Sequence, residues 1–188
     1  MLKHGEWKAV QEDGCALLWM LAFNNTLFQI KIADLMGIQA ILEAMATQKA
    51  VEQVHYHGCG VLHVLSCNNE IKPKLLEAGA LTCLFGSMEE HGYSPLVSEK
   101  SCSALAALMV RRSGETKLCI LQKNELASII RLMTMHSSSR RVQKSALKTL
   151  ELAARAKSNL AILKTCKPLR SVIRAAANAF PDECSRSA

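Results

Sequence analysis

A group of histidines and a cysteine near the middle of the chain is the first feature with metal-binding chemistry. His55, Cys59 and His63 are spaced by four residues, so in a helix they share one face. Imidazole nitrogen and thiolate sulfur are both ligands that zinc accepts. A zinc site also needs a fourth ligand or an open position, and Cys59 is in phase with the expected core. We therefore expect packing roles here and no metal site.

Two adjacent carboxylates, Glu89 and Glu90, lie beside His91 and have the residue types of acid–base catalysis. Their position at the expected end of a helix favours a solvated terminus instead. The sequence contains no glycine-rich phosphate loop, no His-Glu-x-x-His and no Gly-x-Ser-x-Gly motif. We therefore predict a protein that is not an enzyme and that uses no cofactor.

Eight cysteines lie mostly inside apolar runs of a chain that has no signal-peptide pattern at its N-terminus. Disulfide frameworks belong to short secreted chains, so we expect reduced thiols and a cytoplasmic or nuclear protein. The longest apolar run, residues 15–23, is much shorter than the roughly 20 residues of a membrane span. The cysteines are Cys15, Cys59, Cys67, Cys83, Cys102, Cys119, Cys166 and Cys184.

The composition favours helices over sheets. Of the 188 residues, 49% are hydrophobic but only 4% are aromatic, so the apolar content is mostly aliphatic and suits helix packing. The 9 glycines and 4 prolines are too few for a turn-rich all-β fold. The chain is long enough to bury a sizeable core.

One sequence pattern recurs four times. It begins at Val10, Val54, Val97 and Val142, which are 44, 43 and 45 residues apart. A small residue follows each valine by four positions and a leucine follows it by eight, which places all three on one helix face. We interpret the small position and the position after it as packing sites between helices. These two series are Gly14, Gly58, Ser101 and Ala146, and Cys15, Cys59, Cys102 and Leu147.

A second pattern alternates with the first and predicts a corner between two helices. Gly37, Gly79, Asn124 and Lys167 are 42, 45 and 43 residues apart, and apolar residues at helical spacing follow each of them. Glycine and asparagine tolerate a left-handed backbone, which is typical of the end of a helix. Pro168 favours the start of the last helix.

Together the two patterns predict repeating units of a short, a medium and a long helix. Three full units cover about residues 26–67, 69–110 and 114–156. A long helix at about 8–23 precedes them, and a short and a medium helix at about 158–180 follow. We predict a single domain over residues 1–181 and a disordered tail at 182–188.

These residues resemble the armadillo-repeat family, whose period lies in the same range. The segments from Gly37 to Ile41 and from Gly79 to Leu84 look like its glycine turn and second helix, and residues 17–25 look like its third helix. The Val-Gln-x-x-Gly-Cys segment from Val10 is similar to armadillo segments of large multidomain signalling proteins, leucine-rich repeat kinases among them. The resemblance implies a right-handed, all-α solenoid of three full and two partial repeats that binds proteins.

In armadillo proteins the long third helices line a concave groove, and the resemblance assigns ten residues of this chain to it. The Trp and Asn ladder with which nuclear-import adaptors hold a basic peptide is absent from these positions, and Trp19 lies one place out of phase. The first three layers offer small or apolar residues, and the fourth offers two lysines with two arginines in the preceding loop. The predicted groove residues are Ala16, Met20, Gly60, Val64, Ser103, Ala107, Arg140, Arg141, Lys144 and Lys148.

Positive charge is concentrated in the C-terminal part of the chain. Residues 1–110 hold 7 Lys/Arg and 11 Asp/Glu, whereas residues 111–188 hold 16 Lys/Arg and 5 Asp/Glu. Such asymmetry attracts partners of the opposite sign. We predict a non-catalytic scaffold that binds an acidic or amphipathic protein segment along the groove. In the simpler alternative, Lys144 and Lys148 form only a solvated helix face.

Two other functions stay open at this point. The chain could be a regulatory armadillo segment of a larger multidomain enzyme such as a kinase. The basic part could also bind nucleic acid nonspecifically, which its single aromatic residue, Phe180, disfavours because bases stack on aromatic rings. Neither end of the array has a polar capping repeat, so we also consider a longer array or end-to-end self-association. Phosphorylation of Ser113 or Ser137–Ser139 would offset local positive charge.

Overall fold

The computed structural model describes residues 1–110 and 122–181, which form α-helices and no strand. The first helix predicted for the third full unit, Ser113 and the tail at 182–188 lie outside these ranges. Within them, no helix is long and apolar enough to cross a membrane. After a 3-10 helix at Leu2–His4, the helices are α1 Lys8–Ala22, α2 Thr26–Asp34, α3 Gly37–Thr47, α4 Glu52–Ser66, α5 Lys72–Glu77, α6 Ala80–Glu90, α7 Pro95–Met109, α8 Lys123–Met135, α9 Arg140–Ala154, α10 Lys157–Thr165 and α11 Lys167–Ala179.

The helices stack in two rows that follow the order of the sequence. The long helices α1, α4, α7 and α9 pack side by side in one row, and α3, α6, α8 and α11 form the other. Each element contacts its neighbours along the row, which is the contact pattern of a solenoid. The predicted all-α solenoid is therefore confirmed, while the assignment of residues 1–181 to one domain stays a prediction.

The recurring valine and leucine positions form the centre of the core. Val54, Val97 and Val142 are fully buried, as are Leu62 and Leu105 eight residues after the first two. Burying one such aliphatic side chain contributes about 1.5–3 kcal/mol relative to leaving it exposed. The pattern that repeats in the sequence is thus the pattern that holds neighbouring layers together.

The corners before the medium helices agree only partly with the sequence pattern. Gly79 has a φ of 88°, in the left-handed region, as the pattern predicts. In the preceding unit Met36 takes the left-handed conformation, with a φ of 61°, and Gly37 begins α3. Gly37 is needed for space instead, because a Cβ there would lie 2.5 Å from the Ile32 carbonyl oxygen. Asn124 lies in the first turn of α8 rather than at a corner.

The small residues Gly14 and Gly58 of the long helices accommodate methionine side chains, Met1 at the N-terminus and Met45 of α3. A Cβ on Gly14 would lie 2.7 Å from the Met1 sulfur, and one on Gly58 would lie 2.5 Å from the Met45 sulfur. A small residue at this position suggests the close approach of two long helices, but in these two layers a methionine side chain takes the space. Methionines recur in the same register along the chain, 44, 43 and 45 residues apart, at Met1, Met45, Met88 and Met133.

Side-chain hydrogen bonds connect each layer to the one before it. Gln48 Nε2 donates to the Gly5 carbonyl at 2.7 Å. His91 Nε2 lies 2.7 Å from the Lys49 carbonyl, and His136 Nε2 lies 2.7 Å from the Gly92 carbonyl. A carbonyl only accepts, so both imidazoles carry a proton on Nε2. These donors end successive medium helices, and all three bonds span 42 to 44 residues.

Candidate partner-binding surface

The solvent-facing side of the row α1, α4, α7 and α9 carries the candidate site, and we call it the long-helix surface. It consists of residues on the face of each long helix that points away from the buried valine and leucine positions. An aromatic cluster lies at the end formed by α1 and α4, and a cationic group lies on α9. The residues of the surface with described contacts are Trp19, Tyr56, His57, Glu99, Lys100, Ser103, Arg141, Ser145, Lys148 and Glu151.

The aromatic cluster is centred on Trp19, which is half-buried on α1. Its ring meets Tyr56 of α4 edge-to-face, with centroids 5.4 Å apart, and the His57 ring lies 6.0 Å away. Gly60 lies beneath the indole, because a Cβ at that position would be 2.6 Å from the ring. The absence of a side chain at residue 60 therefore allows Trp19 to lie across the α1–α4 interface.

Charged residues continue this surface from α4 to α9. Lys100 Nζ lies 5.2 Å from the centroid of the Trp19 ring, a cation–π contact. The same nitrogen is 3.6 Å from a Glu99 carboxylate oxygen, and the other Glu99 oxygen is 3.9 Å from Arg141. The surface is thus continuous from the aromatic cluster on α1 and α4, across α7, to the first turn of α9.

All of the fully exposed residues of α9 are basic. They are Arg140, Arg141, Lys144 and Lys148. Lys148 donates to Glu151 at 2.8 Å, and Arg155 donates to the other oxygen of the same carboxylate at 2.7 Å. These two hydrogen bonds lower the pKa of Glu151.

The two arginines belong to α9 rather than to the loop before it, where the sequence analysis had put them. Arg140 and Arg141 are its first two residues, no acidic residue occupies its first turn, and Ser139 makes no side-chain cap. The N-terminus of a helix carries a partial positive charge, which is unfavourable for cations and favourable for anions. The beginning of α9 is therefore a concentration of positive charge on the described surface.

The predicted groove residues differ in how far solvent can reach them. Gly60 and Val64 are buried, Ala16, Ser103 and Ala107 are half-buried, and Met20 is 76% exposed. Ser103 Oγ lies 3.0 Å from Ser145 Oγ, so these serines join α7 to α9. The fold brings Ser103, Ala107 and the four basic residues onto the α7–α9 part of the surface, and Gly60 and Val64 contribute to packing beneath it.

Sequence reasoning missed the aromatic and cationic contacts of Trp19, Tyr56 and Lys100. Trp19 is out of phase with the groove positions, and its role depends on how its ring leans across the interface. One signal was present in the sequence, since Gly60 replaces a side chain at a position where the other long helices have Ala16, Ser103 and Lys148. A missing side chain on a helix surface indicates that a neighbour lies over it.

The three residues considered for zinc binding have separate surroundings. His55 is 4% exposed, its Nδ1 is 2.8 Å from Ser87 Oγ, and its ring contacts the His91 ring at a tilt of 46°, with centroids 4.4 Å apart. Burial lowers the pKa of His55 to about 4 and raises the pKa of the Cys59 thiol. His63 lies near Lys100, and burial lowers its pKa. Residues 1–110 and 122–181 contain no group of three or more His, Cys, Asp or Glu placed to hold a metal.

The six cysteines that the structure describes are free thiols. Cys15, Cys59 and Cys102 have no exposed surface, and they occupy the packing position inferred from the sequence. Burial raises the pKa of Cys15 and of Cys102 to about 12. Because the thiolate is the reactive form, these buried thiols are chemically inert near neutral pH.

The two helix rows and the outward surface of the long helices define an armadillo-like solenoid. Armadillo repeat-containing protein 6 from Pongo abelii and from Homo sapiens is 26% identical to this chain over 112 residues. The match covers 55% of this chain and 22% of each relative. It confirms the resemblance to the armadillo-repeat family, and the chain spans less than a quarter of these relatives. No protein-family model and no solved structure matches the chain.

Proposed function

We propose that this chain is a non-catalytic scaffold that binds an acidic or amphipathic segment of another protein along the long-helix surface. The armadillo-like architecture supports a protein partner in general. The reduced thiols suit the cytoplasm or the nucleus, where we place this function. We take the long-helix surface as the concave face of the solenoid.

The observation that carries the proposal is that the four most exposed residues of α9 are all cations. An acidic segment would meet Arg140, Arg141, Lys144 and Lys148 together with the positive end of the helix dipole. Charge complementarity of this kind accelerates encounter and selects the partner. The acidic end of the segment therefore lies over α9.

The aromatic cluster supports the amphipathic character of the segment. Trp19 and Tyr56 present a half-buried, mainly apolar surface at the opposite end of the row. Aromatic rings on a surface provide large contact areas, and such residues often contribute most of the binding energy at interfaces. A segment that runs from α1 to α9 would thus place apolar side chains first and carboxylates last.

A charge-reversal experiment tests the proposal. The probe is a fluorescent synthetic peptide with leucines near one end and glutamates near the other, and binding is followed by anisotropy. We expect the variant with Lys144→Glu and Lys148→Glu to bind about tenfold more weakly or worse, which corresponds to about 1.4 kcal/mol. We also expect its affinity to depend less on salt, because two screened attractions are lost.

The matched control reverses two exposed lysines of α10, Lys157→Glu with Lys164→Glu, which changes the net charge equally. This control should bind the peptide nearly as well as the original chain. Equal weakening in both variants would mean that only net charge matters, and unchanged binding in both would remove α9 from the site. Circular dichroism checks that each variant keeps its helices.

The excess positive charge of residues 111–188 favours nonspecific nucleic-acid binding as a second candidate. That function predicts tight binding to RNA and to heparin alike, with affinity that falls steeply as salt rises. The same anisotropy assay with labelled RNA separates the two functions. Preference for RNA over the acidic peptide, with equal loss in the α9 and α10 variants, would replace our proposal.

A further inference from the structure

Exposed apolar side chains are concentrated at the N-terminal end of the described chain. Of the fifteen large hydrophobic residues with high exposure, ten lie within residues 2–36. Three are on α1, where Leu17 is 56%, Met20 is 76% and Leu21 is 37% exposed. We call these three residues the α1 face.

The same positions are buried in the later long helices, apart from the half-buried Ala107 of α7. In α4 they are Val61, Val64 and Leu65, with exposures of 0%, 8% and 0%. In α9 they are Thr149, Leu152 and Ala153, with exposures of 0%, 6% and 1%. Thr149 Oγ1 donates to the Cys102 carbonyl, so this register faces the preceding long helix.

The helix that follows α1 is also unusually apolar on its outside. Leu27 is 61%, Phe28 is 37% and Leu35 is 78% exposed on and just after α2. The equivalent positions one unit later, 42 residues on, are Asn69, Glu70 and Glu77. The surface that is apolar on α2 is thus polar at the equivalent positions of the next repeat. The apolar character therefore belongs to the layer of α1 and α2 and not to the repeat.

The occupant of the α1 face follows from the chemistry of the two ends. A head-to-tail neighbour would bring α9, whose fully exposed residues are Arg140, Arg141, Lys144 and Lys148, against these leucines and methionine. Removing those cations from water onto an apolar surface is costly. A second α1 face offers apolar surface to apolar surface, and a twofold axis pairs identical patches.

We propose that two copies of this chain associate through their α1 faces, end to end and symmetrically. The contact uses on α1 the register with which α4 packs on α1 and α9 packs on α7, but it pairs that register with its own copy. It leaves α9 exposed at both outer ends of the dimer. The α1 face lies beside Trp19 at one end of the proposed binding surface, whereas the basic residues of α9 lie in the opposite layer, so charge reversal on α9 tests peptide binding separately from dimer formation.

The experiment is a sedimentation-velocity and light-scattering series on the full chain from low micromolar to high micromolar concentration. We expect the mass to rise from that of one chain, 20.6 kDa, to twice that value and to stop there. A variant with Leu17→Gln and Met20→Gln should remain a single chain at concentrations where the original is a dimer. Both side chains are mostly exposed, so the substitutions place little demand on folding.

Two control variants locate the contact. Leu96 on α7 and Met135 on α8 lie outside the α1 face and are 42% and 50% exposed. The variants Leu96→Gln and Met135→Gln should therefore still form dimers. Lys144→Glu with Lys148→Glu should also dimerise, whereas a head-to-tail contact through α9 would be altered by it.

Three outcomes would overturn the proposal. The first is a single chain at every concentration, which would mean that a different partner covers the α1 face. The second is growth beyond two chains, which an asymmetric contact produces. The third is a dimer that the Leu17→Gln and Met20→Gln variant forms as readily as the original chain.

Discussion

Gly60 has no side chain, and the indole of Trp19 takes the space above it. Helix propensity alone would favour alanine at this position by about 1 kcal/mol. The ring is held in place by Tyr56 at 5.4 Å and by the Lys100 cation at 5.2 Å. Steric contact with the ring therefore decides which residue is tolerated at position 60.

We predict that Gly60→Ala lowers the free energy of unfolding by about 1–3 kcal/mol, because the new Cβ overlaps the Trp19 ring. Urea denaturation followed by circular dichroism measures the change. Gly86→Ala on α6 is the matched control, because a Cβ there meets nothing within 4 Å. The control should be stabilised by about 0.5–1 kcal/mol. Similar gains in both variants would show that Trp19 moves away without cost.

His55 is buried, and its pKa is lower than that of an ordinary histidine. His55 Nδ1 lies 2.8 Å from Ser87 Oγ, and the ring tautomer determines which of the two groups donates. Its Nε2 is buried and has no hydrogen-bond partner in the part of the chain that the structure describes. Burial, and next the charge of His91, hold the pKa at about 4, compared with an ordinary value of 6.5.

The lowered pKa makes stability depend on pH. Between about pH 6.5 and pH 4 the unfolded chain binds a proton at His55 that the folded chain does not. The free energy of unfolding is therefore complete above the unfolded pKa and falls as the pH drops towards 4, by about 3 kcal/mol from this group. Urea midpoints across this range measure the fall.

His55→Gln should flatten that dependence. Glutamine occupies the equivalent position in α1 and α9, as Gln11 and Gln143. The carbonyls of Met45 and Gln48 lie near His55 and correspond to the carbonyls that those glutamines bond, so a glutamine at position 55 has equivalent acceptors. Some dependence should remain, because burial also lowers the pKa of two other histidines, His57 and His63. His4→Gln, at an exposed histidine, is the control. An unchanged slope in His55→Gln would assign the effect to the other groups.

At the scale of elements, a buried glutamine connects two of the long helices to the helix that precedes each of them. Gln143 of α9 bonds the end of α8, and Gln11 of α1 bonds the 3-10 helix region. Gln143 Nε2 donates to the Met133 carbonyl at 2.7 Å and to the His136 carbonyl at 3.0 Å. Gln11 makes the same pair of bonds to Met1 and His4, at 3.1 and 2.7 Å. The carbonyls of Met1, His4 and His136 also accept a backbone N–H, so the glutamine amide gives each of them a second hydrogen bond.

We predict that Gln143→Ala lowers the free energy of unfolding by about 1–3 kcal/mol, because two carbonyls at this junction lose their side-chain donor. Gln53→Ala on α4 is the control, since Gln53 is exposed. Thermal unfolding of both variants measures the difference. Equal melting temperatures for the two would mean that water replaces the amide without loss.

The sequence predicted the long helices well because their signal is repeated and buried. Val54, Val97 and Val142 have no exposed surface, so the same residue type is required at each position. The corner at Met36 could not be predicted, because methionine has no preference for the left-handed conformation that it adopts there.

The candidate site was harder to predict than the helices. The basic residues of α9 follow from charge and helical phase, and the structure gives all four high exposure. Their part in binding stays a prediction. Gly60 and Val64 are in phase with exposed or half-buried residues, yet neighbouring helices cover them. Which side of a helix is covered depends on how the helix is rotated about its axis relative to the next layer. A sequence pattern within one helix does not determine that rotation.

At the scale of the whole molecule, the two ends differ in chemistry. Leu17 and Met20 are exposed at one end, and Lys144 and Lys148 at the other. The sequence shows the charge difference directly, because net charge is additive along the chain. The uncovered apolar face becomes visible only when the exposure of α1 is compared with that of its buried counterparts.

The hydrogen bonds from Gln48, His91 and His136 to the preceding layer bear on how such an array can change in evolution. Each donor reaches a carbonyl 42 to 44 residues earlier in the chain. Duplicating or deleting one whole unit leaves every remaining donor opposite an equivalent acceptor. Inserting one residue within a helix rotates its donor away and breaks the match. The fold therefore tolerates the gain or loss of a whole repeat better than a small insertion within a helix. We expect proteins that share this array to differ in length by multiples of one repeat.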